Sequence, residues 1–347
     1  MTGWRNQVAA PVLHKHVKAS ANRKANSMKK KTHARLEGGD IALIPLEGEL
    51  PSLFLNFMRK RMGHAPEAIR EEGVIQRFST NGKKGDTSGW CIWYGMAGAF
   101  GDWRTGESHR WHCREYGELN REERRRIDRH IRQAEEIRKR EIEAGYRHMA
   151  RQAREDIQGF CPATADHPYL IEKGIQPHDA LIDGRNVLII PMYFNGEIVS
   201  YQRIYPARLP DGTNKRFLKG GRKKGCYHPI GNKGAGDLGI CEGFATGASI
   251  HEATGDDIIV AFDAGNLLSV ARAMRERYPG RKIILWADDD YRRVDRNGQP
   301  ENIGILKATE AAQAVNGYLA VPDFGDKRPE GATDFNDLHR MIKRGKQ

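Results

Sequence analysis

The sequence predicts an α/β protein whose parallel sheet is flanked by helices and preceded by a mixed α+β basic subdomain, a long charged helix and a small β-rich N-terminal module. Two observations carry this prediction. From 237 to 321, apolar strands (LGIC, DIIVAF, KIILWA and YLAV) alternate with helical segments that begin near Gly243, Gly265 and Ile303. Strand–helix alternation at this spacing indicates a parallel sheet with right-handed crossovers. Acidic residues directly follow two of these strands.

These acidic residues define a candidate metal site. Glu242 follows LGIC, and Asp288 and Asp290 follow KIILWA, where the carboxyl ends of parallel strands meet at one edge of the sheet. Side chains two apart on an extended segment point to the same side, so Asp288 and Asp290 are expected to share a cation while Asp289 turns away. Carboxylates held this close repel one another unless cations neutralise them, and oxygen ligands suit Mg²⁺ or Mn²⁺.

Two further acids extend the candidate site. Asp263 ends the second strand as a secondary acid, and Asp334 lies in the segment TDFNDLH. Acids at strand ends also cap helices, which is the alternative role for each of them taken singly. The combination of acids after two strands of one sheet predicts metal chemistry, and in a basic chain that chemistry is expected to act on phosphates.

Charge indicates the kind of partner. Lys and Arg total 57 against 45 Asp and Glu, a formal net charge of +12 in 347 residues. Such a surplus favours a polyanion, with nucleic acid ahead of a membrane surface. The sequence contains neither an apolar run of membrane-spanning length nor a secretory leader, so we expect a cytoplasmic protein with no membrane partner.

The chain is expected to divide into five segments. The N-terminal arm carries few large apolar groups and therefore buries too little surface to offset the entropy of ordering; Met28 within it is a second candidate start. The charged helix is interpreted as a solvated connector, with a DNA-tracking surface as the alternative. The segments are a flexible basic arm (1–47), an aromatic-rich α+β module (48–117), a charged helical connector (118–157), a basic subdomain (158–235) and the sheet domain with a C-terminal acidic segment (236–347).

Aromatic residues are concentrated in the small N-terminal module. They are expected to form its core, because large rings dominate small cores by buried area. A stacking platform for single-stranded nucleic acid is the alternative, since Arg104 and Arg110 lie among the rings. The rings are Trp90, Trp93, Tyr94, Phe100, Trp103 and Trp111.

The five cysteines are scattered, and none forms a Cys-x-x-Cys pair. This pattern argues against a disulfide framework and against a zinc ribbon. Cys91, His109, His112 and Cys113 lie close enough in sequence to leave a zinc site open as the alternative to ordinary packing.

Basic residues are concentrated just before the predicted sheet. NVLIIPMYF and EIVSYQRIY are two strands joined by Asn195-Gly196, a strong hairpin signal, and NKRFLKGGRKKG follows them. Chemistry on phosphates needs cations beside the metal, so these residues are candidates for binding nucleotides or DNA, with a solvated loop as the alternative. The candidates are Arg203, Lys215, Arg216, Lys219, Arg222 and Lys223, with Lys224 beside them.

LGICEGFATGASI and ILWADDDY resemble the glutamate and Asp-x-Asp motifs of the Toprim domain, the metal-binding fold shared by bacterial primases, topoisomerases and certain nucleases. The resemblance implies that Asp288 and Asp290 hold Mg²⁺ and that Glu242 transfers protons or binds metal. NVLIIPMYFNGEIVSYQRIYP with NKRFLKGG resembles the basic subdomain of bacterial-type primases, especially those of phages and mobile elements. Arg216 and Lys219 match its lysine-rich strand, and TDFNDLH resembles the acidic segment that follows Toprim in phage primase–helicases.

This resemblance implies a DNA primase that copies single-stranded DNA into short RNA primers from ribonucleoside triphosphates. The sequence has no GxxxxGK[ST] phosphate loop, so a helicase is expected to be a separate partner. Two other functions stay open: a Toprim nuclease that uses the same metals, and a non-catalytic accessory that grips single-stranded DNA.

Overall fold

The computed structural model describes residues 49–113, 121–231, 234, 236–294 and 298–345. The predicted basic arm lies outside these residues. Contacts divide the described chain into two units, one ending at Glu143 and the other beginning at Ala144. Helix α2 (Arg121–Gln158), 38 residues long, contributes to both. Among the described helices, none combines the length and the apolar character that a membrane span requires.

The N-terminal unit contains a helix and an antiparallel sheet. Helix α1 (Leu50–Met62) begins with a proline in its first turn and ends at Gly63, which adopts the left-handed conformation that a helix C-terminus favours. The sheet has the order β1-β2-β3-β4, in which each strand pairs with the next along the chain. Its strands are Gln76–Phe78, Gly89–Trp93, Ala97–Asp102 and Ser108–His112.

Most of the aromatic residues form the core of this unit. Phe54 of α1 is fully buried, with its ring centroid 5.3 Å from that of Trp93, 5.8 Å from Phe100 and 5.4 Å from Trp111. Trp90 is also buried. The core interpretation is therefore confirmed for these rings, whereas Trp103 and Tyr94 retain partial exposure.

The residues considered for zinc have other surroundings. Cys91 lies in the module's core, where burial raises the pKa of its thiol to about 12. The imidazole Nε2 of His109 lies 2.6 Å from Glu107 Oε1. Packing and local pairing thus account for two of the four candidates.

The C-terminal unit opens with an antiparallel sheet of five strands in the order β5-β6-β7-β8-β9. The predicted hairpin is confirmed: β7 and β8 are joined by Asn195 and Gly196 alone, with φ angles of 51° and 87°. Both angles are positive, as in the hairpin turns that Asn-Gly favours. Helix α3 (Pro168–Lys173) lies between β5 and β6. The strands are Cys161–Pro162, Leu181–Ile182, Leu188–Phe194, Glu197–Ile204 and Lys215–Phe217.

The second sheet of this unit is the predicted parallel one. Its order is β10-β12-β11-β13-β14, and all neighbours are parallel except β10, an antiparallel edge strand that the sequence analysis did not predict. In chain order, strands β10 to β14 are His228–Ile230, Leu238–Cys241, Asp257–Val260, Ile283–Trp286 and Tyr318–Ala320. The helices are α4 (Phe244–Thr254), α5 (Leu267–Arg277), α6 (Ile303–Ala314) and α7 (Phe335–Arg344).

Helices cover both faces of the parallel sheet, as its continuous apolar strands require. On β11 and β13, alternate side chains enter different clusters: Cys241 and Trp286 pack with α4 and α7, whereas Ile240 and Leu285 pack with α5 and α6. The first cluster continues into the antiparallel sheet through residues such as Ile190. The two sheets of this unit therefore share a core, and the predicted α/β architecture is confirmed for this part of the chain.

Replacement of Phe54 by alanine is expected to destabilise the N-terminal unit by about 3–5 kcal/mol, because it removes a fully buried ring from among three others. Leu53→Ala on the same helix is the matched control, since Leu53 is 41% exposed, and should cost less than about 1 kcal/mol. Urea unfolding followed by tryptophan fluorescence measures both. Equal losses in the two variants would contradict the assignment of Phe54 to the core.

Candidate metal centre

The carboxyl ends of three parallel strands bring the predicted acids to one edge of the sheet. Glu242 follows β11, and its carbonyl oxygen accepts a hydrogen bond of 2.8 Å from the backbone N–H of Phe262, beyond β12. Phe262 has φ of +72°, a left-handed conformation that costs a bulky residue roughly 1–3 kcal/mol. This strained turn carries Asp263 as the next residue.

Glu242 and Asp288 are crowded acids with little access to water. Desolvation, together with the charges of Asp263, Asp290 and Asp334, raises the pKa of Glu242 to about 7, while Lys215 acts in the opposite direction. Desolvation also raises the pKa of Asp288 well above its ordinary value, reinforced by Asp334, Glu242 and Asp290. The two groups therefore resist ionisation unless a positive charge arrives.

The three consecutive aspartates have different surroundings. Asp289 is fixed by a 2.7 Å ion pair from Arg328 Nη1 and by a 2.6 Å hydrogen bond from Asn302 Nδ2. Asp290 Oδ2 accepts a hydrogen bond of 3.2 Å from the backbone N–H of Gly304, at the start of α6. Gly304 is required there, because a Cβ would lie 2.2 Å from the carbonyl oxygen of Asp288.

Asp334, which follows the last strand of the sheet in sequence, also belongs to the cluster. It caps helix α7, with Oδ1 accepting from the backbone N–H of Asp337 at 2.8 Å. Its Oδ2 accepts from the hydroxyl of Thr246, in the first turn of α4, at 3.1 Å. Desolvation and the charge of Asp337 raise the pKa of Asp334, although these hydrogen bonds and Lys173 act in the opposite direction.

Lys215 is the basic candidate that lies among the acids. Although the residue as a whole is exposed, its ammonium group is desolvated, and this lowers its pKa, while the charges of Asp334, Glu242 and Asp288 raise it. Strand β9, which carries Lys215, belongs to the antiparallel sheet. The antiparallel sheet therefore supplies a cation to the acidic edge of the parallel sheet.

The other basic candidates are distributed differently. Arg203 and Arg216 are cross-strand neighbours on β8 and β9, and the pleat turns them away from the face that Lys215 occupies. Arg216 pairs with Asp211, and Arg203 Nη2 donates to Tyr201 Oη at 2.6 Å.

Three candidates lie in the segment after β9. Lys219 is exposed in a turn. Arg222 stacks over Phe194, and Lys223 forms a 2.8 Å ion pair with Asp263. Asp263 is thus held by a lysine at the border of the cluster, next to Glu242.

The donor set fits a hard divalent ion that keeps part of its water shell. Asp288 Oδ1 is buried without a hydrogen-bond partner in the described protein, as expected of an atom that a cation would satisfy. Within the described ranges, no three His, Cys, Asp or Glu side chains already form a closed set of metal ligands. An ion such as Mg²⁺ needs only one or two protein carboxylates, because water and substrate phosphates supply the rest.

Several residues of the site were missed by the sequence analysis. Thr246 and Asn302 hold Asp334 and Asp290 through short polar contacts, and Asn302 also caps α6. Lys173, at the end of α3, acts electrostatically on both Asp334 and Lys215. Its carbonyl oxygen accepts a 2.7 Å hydrogen bond from Asn336 of α7. The Asn302 cap, three residues before Ile305, was the one signal that could have been found in advance.

Comparison with known proteins agrees with this geometry. Residues 237–345 match the family model of the Toprim domain. The acids Glu242, Asp288, Asp290 and Asp334 all lie within this match. Toprim domains bind divalent metal ions, which accords with the acidic edge described above.

The similarity to curated proteins extends beyond the Toprim domain. Over 264 residues the chain is 34% identical to a DNA primase TraC of Escherichia coli, covering 73% of this chain and 24% of that protein. A second DNA primase TraC of Escherichia coli is 33% identical over 255 residues, covering 70% of this chain and 17% of that protein. The predicted resemblance to Toprim primases is confirmed, and the chain spans about a quarter or less of these relatives' length.

Solved structures are also similar to part of the chain. The primase fragment of the bacteriophage T7 primase-helicase protein matches with a TM-score of 0.35 and 19% identity, over 51% of this chain and 69% of that one.

The pKa of Glu242 predicts how stability changes with pH in a chelating buffer. Its ordinary value of 4.5 rises to about 7 in the fold. Because the folded state holds this proton more tightly, the contribution to stability is present below pH 4.5 and is lost as the pH rises through 7. The free energy of unfolding of the wild type should therefore fall as the pH rises through 7, and Glu242→Gln should reduce that fall by about 1–3 kcal/mol. Thermal midpoints from pH 5 to 8 measure it.

Glu310→Gln on the exposed side of α6 is the control and should follow the wild type. Adding Mg²⁺ at pH 8 should raise the wild-type midpoint more than that of Glu242→Gln. A Glu242→Gln profile that parallels the wild type would refute the crowding of these acids.

Proposed function

We propose that this chain synthesises short RNA primers on single-stranded DNA by metal-dependent nucleotidyl transfer. The observation that carries the proposal is the cluster of half-buried acids, Glu242, Asp288 and Asp334, with the cation of Lys215 beside them, within the region that matches the Toprim domain. The stretch shared with the two proteins named DNA primase covers 73% and 70% of the chain and supports the same function.

The residues have distinct roles in this proposal. Asp288 and Asp290, with Glu242 and Asp334, hold Mg²⁺ or Mn²⁺, which when bound would activate the attacking 3′ hydroxyl and neutralise the departing pyrophosphate. Glu242, beside the proposed ion, is suited to accept the proton of the attacking hydroxyl. Lys215 supplies a fixed positive charge for the triphosphate.

The remaining basic candidates act outside the reacting centre. Lys219, Arg222 and Lys223 follow Lys215 along the chain, and Arg203 and Arg216 lie on the opposite face of β8 and β9. Outside the acidic cluster, these cations suit contacts with the backbone of a template strand. We infer that the partners are single-stranded DNA, ribonucleoside triphosphates and a separate replicative helicase, in the cytoplasm. The segment boundaries given above (48–117, 118–157, 158–235 and 236–347) are proposed as functional divisions.

Primer synthesis is tested with the full chain on mixed-sequence single-stranded DNA, labelled ribonucleotides and either Mg²⁺ or Mn²⁺. Asp288→Asn/Asp290→Asn should reduce the yield of short labelled products at least ~10³-fold, because it removes the negative charge that attracts the ion. Asp326→Asn, an exposed acid of the same domain, should leave the yield unchanged. A shortened template without products would indicate a nuclease. Binding of single-stranded DNA with neither primer synthesis nor template cleavage would favour the non-catalytic accessory.

Lys215 and Arg216 form a matched pair, because they are neighbours on β9 that face opposite sides of the sheet. Lys215→Ala should lower primer synthesis by roughly 10²-fold, as expected for loss of a charge at the reacting phosphates. Arg216→Ala should lower it by less than about 5-fold, in line with a rim contact that mainly affects template binding. Rates at saturating template and nucleotide distinguish the two. A larger loss from Arg216→Ala would contradict the assignment of Lys215.

A further inference from the structure

A second concave site lies away from the acidic edge. It is a cavity of about 550 Å³ between the end of the β7–β8 hairpin, the segment that connects β9 to β10, and helix α5. Its size falls within the roughly 300–1,000 Å³ typical of pockets for small ligands. Among its lining residues are Phe194, Arg222, Lys224, Tyr227, Ala273 and Arg277.

The lining combines three cations and one acid with aromatic rings. The guanidinium of Arg222 lies 4.3 Å from the ring centroid of Phe194 and 4.6 Å from that of Tyr146. Arg277 Nη1 donates a hydrogen bond of 2.9 Å to the hydroxyl of Tyr227. Stacking and hydrogen bonding thus hold two guanidinium groups in place. Cations interleaved with aromatic rings are typical of surfaces that bind single-stranded nucleic acid.

The connecting segment directs successive basic residues to different places. Lys223 pairs with Asp263, next to Glu242, whereas its neighbours Arg222 and Lys224 line the cavity. The buried side chain of Asn266 fixes this arrangement: Oδ1 accepts from the backbone N–H of Gly225 at 2.7 Å, and Nδ2 donates at 2.9 Å to the carbonyl oxygen of Cys226. The cavity and the acidic edge are therefore separate sites on either side of one loop.

We propose that this cavity binds one nucleotide of the single-stranded template, with its phosphate between Arg222, Lys224 and Arg277 and its base against the partly exposed ring of Phe194. This inference rests on the proposed function. The ligand chemistry, a phosphorylated nucleoside, is shared with a free ribonucleoside triphosphate. The template is favoured because a reacting triphosphate must lie at the acids, whereas a strand can pass the loop and occupy both sides.

Binding is measured by the anisotropy of a fluorescein-labelled oligothymidylate, with the full chain and without nucleotides, so that no synthesis is required. Lys224→Ala/Arg277→Ala should weaken binding about 10-fold and reduce the slope of log affinity against log salt by roughly 2. Ala273→Trp, which fills the cavity without removing charge, should weaken binding by a similar factor. Lys282→Ala/Lys307→Ala is the control, because it removes the same charge from exposed positions outside the cavity.

A second arm uses a fluorescent ribonucleoside triphosphate with Mg²⁺. Loss of nucleotide binding with oligothymidylate binding intact would overturn the template assignment in favour of a nucleotide store. If the cavity variants bind both probes as tightly as the wild type does, the cavity is not a nucleotide-binding site. The same conclusion follows if the wild type does not bind oligothymidylate. If the variants weaken oligothymidylate binding while the wild type makes no primers, the cavity stands and the proposed function fails.

Discussion

Mutual repulsion among half-buried, desolvated carboxylates is the constraint on which the C-terminal unit depends. Glu242, Asp288 and Asp334 lie where three elements meet, with too little water to screen their charges. Burying like charges is costly unless opposite charge is placed beside them. Lys215 supplies part of that charge from the antiparallel sheet. The hydrophobic core shared by the two sheets therefore also holds this cation beside the acids. A divalent ion would complete the neutralisation.

The run of three aspartates shows how a short motif divides its tasks. Asp289 is fully engaged by Arg328 and Asn302, so it anchors the segment rather than serving the site. Its neighbours are then held in fixed positions, Asp290 by the first turn of α6 and Asp288 by burial. The fixed central residue keeps two repelling carboxylates from relaxing away from each other, a preorganisation that metal chemistry on phosphates requires.

Sequence periodicity was sufficient for the parallel sheet and for the positions of Glu242 and Asp288, because strand ends and crossover handedness follow from local pattern. It was insufficient wherever a long-range register decides the outcome. Which of Lys215 and Arg216 faces the acids depends on how β9 pairs with β8 across an irregular loop. The contribution of Lys173 depends on a contact with a helix 163 residues away, for which the sequence contains no local signal.

Because Asn266 anchors the loop before β10, the function of that loop depends on its length. The buried amide of Asn266 forms hydrogen bonds with the backbone at Gly225 and Cys226. These bonds fix the directions in which the side chains of the preceding Lys223 and Lys224 point. Insertion of a single residue ahead of that anchor would exchange the side chains that face the acids with those that face the cavity. Natural variants of this fold should therefore tolerate substitution of Lys223 or Lys224 more readily than any change in spacing between them and the anchored glycine.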